Sequence, residues 1–210
     1  MMHLIFDLDG TLIDSRPGIV ESLLFATSKT LGRSLNTDLL KIGPPIKVMI
    51  KQVFPGTSDK MIKEIVECFR EHYDSIGWSI YNVYPKVKDV LEILREKNIL
   101  FIATNKPKKP TKKILHDMGI AHLFKEIFCY DEHLYKNKTD MVRSLKEKNN
   151  ALCKMIGDSN DDLFAAYDNS IEFIECTYGY GSIELLNSID RVKIKKFEDL
   201  LHLKKGEDLC

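Results

Sequence analysis

The chain of 210 residues predicts an α/β fold. Its core is a doubly wound, Rossmann-like parallel sheet, with a small all-helical domain inserted near its start. Three observations carry this. Short, nearly continuous apolar runs recur, as expected of parallel strands buried on both faces. Most of these runs are followed by a helical pattern, and strand alternating with helix is the mark of a parallel layered sheet. The rhythm breaks once, between residues 15 and 81, where helical spacing occurs without a convincing strand.

The first strand is read at residues 3–7 (HLIFD). Inside the interruption, residues 17–31 are amphipathic through Ile19, Val20, Leu23, Leu24 and Leu31 and stop at Gly32. Residues 58–76 place Ile62, Ile65, Val66, Phe69, Tyr73 and Ile76 at helical spacing. Residues 42–46 (IGPPI) read as a connection between helices. After the interruption come a helix at 85–98, a strand at 99–104 (ILFIAT) and a helix at 110–118. That last helix has Pro110 as its first residue and Gly119 as its stop. Then follow strands at 126–130, 152–156 and 171–175, with helices at 139–149 and 160–168 between them. A plain α/β domain would bring its second strand within about 30 residues. The delay points to a discontinuous core of residues 1–14 and 82–210 and an inserted helical domain of residues 15–81.

Composition excludes several classes. Hydrophobic residues make up 44% and charged residues 30%, which a disordered chain does not show. Thirty-one basic residues balance thirty-one acidic ones, so no global field favours nucleic acid. No apolar run approaches the roughly 18–20 residues of a membrane span, and two aspartates within the first nine residues argue against a signal peptide. Five cysteines lie far apart without a C-x-x-C pair, so a disulfide framework or zinc knuckle is not expected and a reducing, cytoplasmic setting is. Cys129, Cys153 and Cys176 read as core residues, and Cys210 as exposed. Lys106, Lys108, Lys109, Lys112 and Lys113 form a basic cluster that reads as a solvated loop and helix start.

Chemistry concentrates where strands end. In an open parallel sheet, ligands bind beyond the carboxyl ends of the strands. The first strand runs into Asp7-Leu8-Asp9-Gly10-Thr11, the second into Thr104-Asn105-Lys106, and the run 152–156 into Gly157-Asp158-Ser159-Asn160-Asp161-Asp162. Asp7 and Asp9, two apart on an extended chain, project to one side. Converging carboxylates repel unless a cation relieves them. The donors on offer are oxygens, and Mg²⁺ takes one or two carboxylates plus phosphate oxygens and water. Lys138 adds a positive charge and Thr104 a hydroxyl. A carboxylate nucleophile, a metal, a lysine and a hydroxyl suit phosphoryl transfer through an aspartyl-phosphate. An aspartate with its reference pKa near 4 is ionised at neutral pH, so Asp7 is expected to need no tuning.

FDLDGTL, ATNK, Lys138 and IGDSNDD, in that order, resemble the haloacid dehalogenase superfamily of phosphatases over nearly the whole chain. The inserted helices resemble its helical cap. Gly43–Pro45 and the stretch 178–186 (YGYGSIELL) look like its phosphoglycolate phosphatase-like branch. The resemblance implies that Asp7 is the nucleophile. It implies that Asp9 protonates the leaving oxygen, then activates water, and ligates Mg²⁺ through its backbone carbonyl. Gly10, Thr11, Thr104, Asn105 and Lys138 would bind the phosphoryl group, and Lys138 would neutralise charge on Asp7. Asp7 would also ligate the metal, Asp158 would be its third ligand, and Asp162 would hold a metal-bound water or orient Lys138. The lysine stands in KNKTD, and Lys136, two residues earlier, is the alternative.

The implied activity is Mg²⁺-dependent hydrolysis of small phosphomonoesters, with phosphoglycolate the first substrate to try and a cap that opens and closes around it. A nucleoside monophosphatase, a pyrophosphatase or a phosphosugar mutase would use the same residues. A catalytically idle phosphate-binding protein is the non-enzyme reading. A phospho-aspartate receiver is about half this length and lacks D-x-D-G-T. The expected partner is a small phosphorylated metabolite, without nucleic acid or membrane, acting on a monomer or homodimer.

Overall fold

The computed structural model describes residues 1–130, 133–149, 151–181, 183 and 191–203. By contact the chain divides into two compact units, one of Met1–Asp14 with Val83–Cys210 and one of Ser15–Asn82. The strands are β1 (Met2–Phe6), β2 (Ile13–Asp14), β3 (Asn82–Val83), β4 (Asn98–Pro107), β5 (Phe124–Tyr130), β6 (Cys153–Gly157), β7 (Glu172–Cys176) and β8 (Val192–Ile194). The helices are α1 (Arg16–Leu31), α2 (Ile46–Val53), α3 (Asp59–Ser75), α4 (Val87–Arg95), α5 (Lys108–Asp117), α6 (Lys138–Asn149) and α7 (Asn160–Asp168).

Six strands form one parallel sheet in the order β5-β4-β1-β6-β7-β8. This is the doubly wound α/β architecture that the sequence predicts. The central strand β1 sets Ile5 opposite Phe101 of β4 and Met155 of β6. Alternation then sends neighbouring side chains to opposite faces. Ile5, Phe101, Ala103, Met155 and Phe173 face Met141, Val142 and Leu145 of α6 and Leu163, Ala165 and Ala166 of α7. Phe6 turns the other way and stacks at a tilt on Phe197. Val87, Val90, Leu91 and Leu94 of α4, at the spacing of one helical face, are all buried. The order reverses beside β1, where the chain goes to β4 on one side and later to β6 on the other. That reversal opens a crevice at the carboxyl ends of β1, β4 and β6.

The helical unit rests on α1 and α3. Ser58 caps α3 by accepting from the Met61 N–H, and Ile62, Ile65, Phe69 and Tyr73 form its buried stripe. Ile76, read as part of that stripe, is half exposed because α3 ends at Ser75. α1 ends at Gly32 in the left-handed conformation (φ 62°). Gly18 and Gly77 allow a close backbone approach, since a Cβ on Gly18 would overlap the Gly77 carbonyl.

Some elements differ from the sequence reading. β8 has three residues and α2 has eight, both too short for periodicity to announce; α2 follows the Gly43-Pro44-Pro45 turn that reads as a mere connection. β4 runs three residues past Thr104, with a register shift against β5 between Thr104 and Pro107. α5 therefore begins at Lys108, and Pro110 is its third residue rather than its first. The N–H that proline lacks there is one of the donors a helix start leaves unpaired anyway. Cys68, Cys129, Cys153 and Cys176 are free and buried; Cys210 lies outside the described residues. No described helix is long and apolar enough to cross a membrane.

Candidate active site

β1 delivers Asp7 into the crevice, where the Asp7 N–H donates to the Ile156 carbonyl. The chain then turns tightly. Leu12 and Ile13 N–H groups return to the Leu8 carbonyl, and Gly10 takes a φ of 84° that favours glycine. β6 delivers Asp158 from the neighbouring strand, and the start of α7 delivers Asp162. One oxygen from each of Asp7, Asp158 and Asp162 lies within 4.8 Å of the others, and all three residues are buried.

Lys138, the first residue of α6, answers this charge. Its ammonium lies 2.9 Å from Asp7 Oδ1, outside hydrogen-bonding geometry, and donates to Asp162 Oδ1 at 2.6 Å. Lys138 is 3% exposed, whereas Lys136 is exposed and its backbone N–H donates to Asp140. Burial works against the Lys138 charge, but Asp162 and Asp7 outweigh it and hold its pKa above the ordinary lysine value.

Asp162 has little capacity left. Its Oδ2 accepts from Ser159 Oγ at 2.6 Å and from the Ser159 and Asp158 N–H groups at 3.0 and 3.2 Å. It caps α7 while aiming Lys138 at Asp7. This is the capping box that a Ser followed three residues later by an acid can make.

Without a cation the cluster resists ionisation. Burial, and then Asp162, Asp158 and Asp9, push Asp7 well above the carboxylate range against the pull of Lys138. Burial and Asp162 push Asp158 up to about 7, opposed by the Tyr180 and Gly181 N–H groups and by Lys138. A free aspartate ionises at neutral pH because water solvates it; burial takes that water from Asp7 in the cation-free cluster.

Thr104 is 1% exposed, and its Oγ1 accepts from the Lys106 N–H at 3.2 Å, which leaves the hydroxyl proton available for another acceptor. Asn105 donates from Nδ2 to Asp161 Oδ2 at 2.7 Å. Thr11 donates to Asp158 Oδ1 at 3.4 Å. Asp9 stands apart from the metal-capable carboxylates. Both of its oxygens meet Lys106 Nζ, at 2.8 and 3.0 Å.

Lys106 is the main residue misjudged from sequence. It is 7% exposed and paired, not solvated, although Lys108, Lys109 and Lys112 of the same cluster are exposed. The signal was its spacing: two residues from Thr104 on an extended chain, it shares that residue's side. Also unforeseen is the turn after β7. There Tyr180 and Gly181 donate backbone N–H groups to Asp158 Oδ2 at 2.8 and 3.2 Å.

These strand-end carboxylates around a buried lysine, on this sheet, define a class. The model of the haloacid dehalogenase-like hydrolase family matches residues 4–176. A 5'-nucleotidase of Pseudomonas aeruginosa is 31% identical over 195 residues, covering 89% of this chain and 87% of that protein. A phosphoglycolate phosphatase of Vibrio cholerae is 30% identical over 189 residues, covering 83% of this chain and 84% of that one. A haloacid dehalogenase-like family hydrolase of known structure from Streptococcus pneumoniae superposes with a TM-score of 0.85 at 27% identity, covering 96% of this chain and 98% of that one. The chain belongs to the haloacid dehalogenase-like hydrolases. Within them it falls in the phosphoglycolate phosphatase-like branch, as an enzyme of the phosphatase class.

Proposed function

We propose that this protein hydrolyses small phosphomonoesters with Mg²⁺ through a phosphorylated Asp7. The observation that carries the reading is the buried Lys138 ammonium joined to both Asp7 and Asp162, with Asp158 in the same cluster. Three buried carboxylates with one counter-charge and oxygen donors fit a hard divalent cation. Asp7, Asp158 and the Asp9 carbonyl would hold it. It would supply positive charge to the phosphoryl oxygens and to Asp7. Asp162, its oxygens engaged, acts by orienting Lys138.

In the first step an Asp7 oxygen bonds to phosphorus as the ester P–O bond breaks. The proton goes from the Asp9 carboxyl to the departing alkoxide, which leaves as the alcohol. In the second step water attacks phosphorus, its proton passes to Asp9, the Asp7–phosphorus bond breaks and inorganic phosphate leaves. Lys138 screens charge on Asp7 throughout, and Thr104 donates to a phosphoryl oxygen.

The relatives named above support two substrate groups to test first, phosphoglycolate and nucleoside 5'-monophosphates. The test is phosphate release from a panel holding both, with Mg²⁺ or EDTA, for wild type and Asp7→Asn. Turnover that stops with EDTA and is lost in Asp7→Asn is expected. An Asp7→Asn variant as active as wild type would overturn the nucleophile assignment.

A further inference from the structure

The turn that follows β7 is built around one carboxylate. Thr177 starts it, tied to β8 by its N–H and its hydroxyl, both donating to the Ile194 carbonyl. Tyr178 donates from its phenol to the Thr11 carbonyl at 2.9 Å. Tyr180 donates its N–H to Asp158 Oδ2 and its phenol to Asp14 Oδ1 at 2.7 Å. Gly181 adds a second N–H to the same Oδ2. The glycines are required by space. A Cβ on Gly179 would overlap Asp158 Cβ and the Gly10 carbonyl, and one on Gly181 would overlap the Asp158 carbonyl. From the opposite side, a Cβ on Gly10 would overlap the Asp158 carboxylate. Asp158 is therefore gripped by two glycine-lined turns, 98% removed from solvent.

A carboxylate oxygen accepts about two hydrogen bonds, so two backbone donors fill Oδ2. Oδ1 is left with the Thr11 hydroxyl at 3.4 Å, long for an O–H···O bond. The grip thus decides both the rotamer of Asp158 and which of its oxygens is offered.

We propose that Tyr178–Gly181 is a positioning clamp that presents Asp158 Oδ1 to the divalent cation, with the Tyr180 phenol as its anchor on Asp14. The proposal rests on the reading of Asp158 as a metal ligand. The clamp residues act through Asp158, to which Tyr180 and Gly181 donate. Groups that orient a metal ligand matter nearly as much as the ligand itself.

The experiment is calorimetric titration of the full chain with Mg²⁺ alone, without substrate, beside thermal melting in EDTA. The proteins are wild type, Asp158→Asn, Tyr180→Phe and Gly181→Ala. Loss of an outer-shell partner costs about 10- to 100-fold in metal affinity. Tyr180→Phe, which removes one anchor, is expected near the lower figure with its metal-free melting unchanged. Gly181→Ala, which displaces an N–H donor, is expected near the upper one. Should Gly181→Ala not fold, Tyr178→Phe takes its place, with the Tyr180→Phe outcome expected. If Asp158→Asn loses Mg²⁺ while the clamp variants bind as wild type, the clamp is refuted and the metal reading stands. A loss of affinity matched by an equal fall in metal-free stability also refutes the clamp, since the turn would then be structural. If wild type binds no Mg²⁺, or Asp158→Asn binds it as wild type does, the metal reading fails and the clamp falls with it.

Discussion

Replacing Lys138 by methionine removes the counter-charge of the buried cluster and keeps most of the side chain's volume. The ammonium sits 2.6 Å from Asp162 and 2.9 Å from Asp7, and its side chain is 3% exposed. At an effective dielectric constant of about 20, each pair attracts by roughly 6 kcal/mol before desolvation is subtracted. Removing one partner of a buried pair costs about 3–5 kcal/mol, because the other charge stays buried and unpaired. The pH dependence has a definite sign. Lysine titrates near 10 when unfolded, and the folded Lys138 pKa is higher still, so its stabilisation is constant between pH 5 and 8. A change in the cost of losing Lys138 across that window comes from the buried carboxyl it faces, Asp7. Asp7 is already raised, and loss of the lysine raises it further. A carboxyl with a raised folded pKa stabilises at low pH and loses that contribution as pH climbs through the folded value. Lys138→Met is therefore expected to cost about 3–5 kcal/mol at pH 8 and less at pH 5, where protonation of the raised Asp7 carboxyl offsets the missing charge. Urea unfolding in EDTA at the two pH values measures this. A cost below about 1 kcal/mol at pH 8, or the same cost at both pH values, would refute the reasoning. Turnover should fall by about 10²- to 10³-fold, the usual effect of losing one charge-stabilising group.

Further outcomes are expected elsewhere. Asp158, pushed up to about 7, holds its proton more tightly in the folded chain than the reference value of about 4 allows when unfolded. The metal-free protein should thus lose thermal stability between pH 4 and 7 from this group, and Mg²⁺ added above pH 7 should restore it. Calorimetric melting with and without EDTA reads both, and a metal-free melting temperature that climbs across that window would count against the grouping. Lys106→Met leaves Asp9 without the ammonium that meets both its oxygens. It should lower kcat by at least about tenfold, with Lys106→Arg recovering part of the loss; steady-state kinetics decide. Ile5→Ala, at a fully buried site on the central strand, should cost about 2–5 kcal/mol in urea unfolding.

Elements with a strong period were legible. β1, β6 and β7 need continuous apolar runs because both faces of the sheet are covered, and such runs announce themselves. The helix expected at residues 160–168 is α7, which the structure closes at its start with a capping box of Ser159 and Asp162. β8 and α2 were not legible. Three residues hold no period, and eight hold barely two turns. The end of β4 was missed because Asn105 and Lys106 are polar residues on a strand whose tip faces the crevice. Polarity there marks the site and not the end of the strand.

The sequence by itself determined the order of chemical groups and the sheet that gathers them. Apolar alternation, cap residues and D-x-D-G-T are local, and local physics reads them at a distance of a few residues. Only the tertiary structure decided which lysine meets which carboxylate. Lys106 and Lys108 are neighbours of equal intrinsic character, yet one is buried on Asp9 and the other exposed. The same holds for Asp158, whose rotamer is set by N–H groups 22 and 23 residues further along the chain. Charge energies depend on distance and burial, and both come from contacts between strands far apart in sequence.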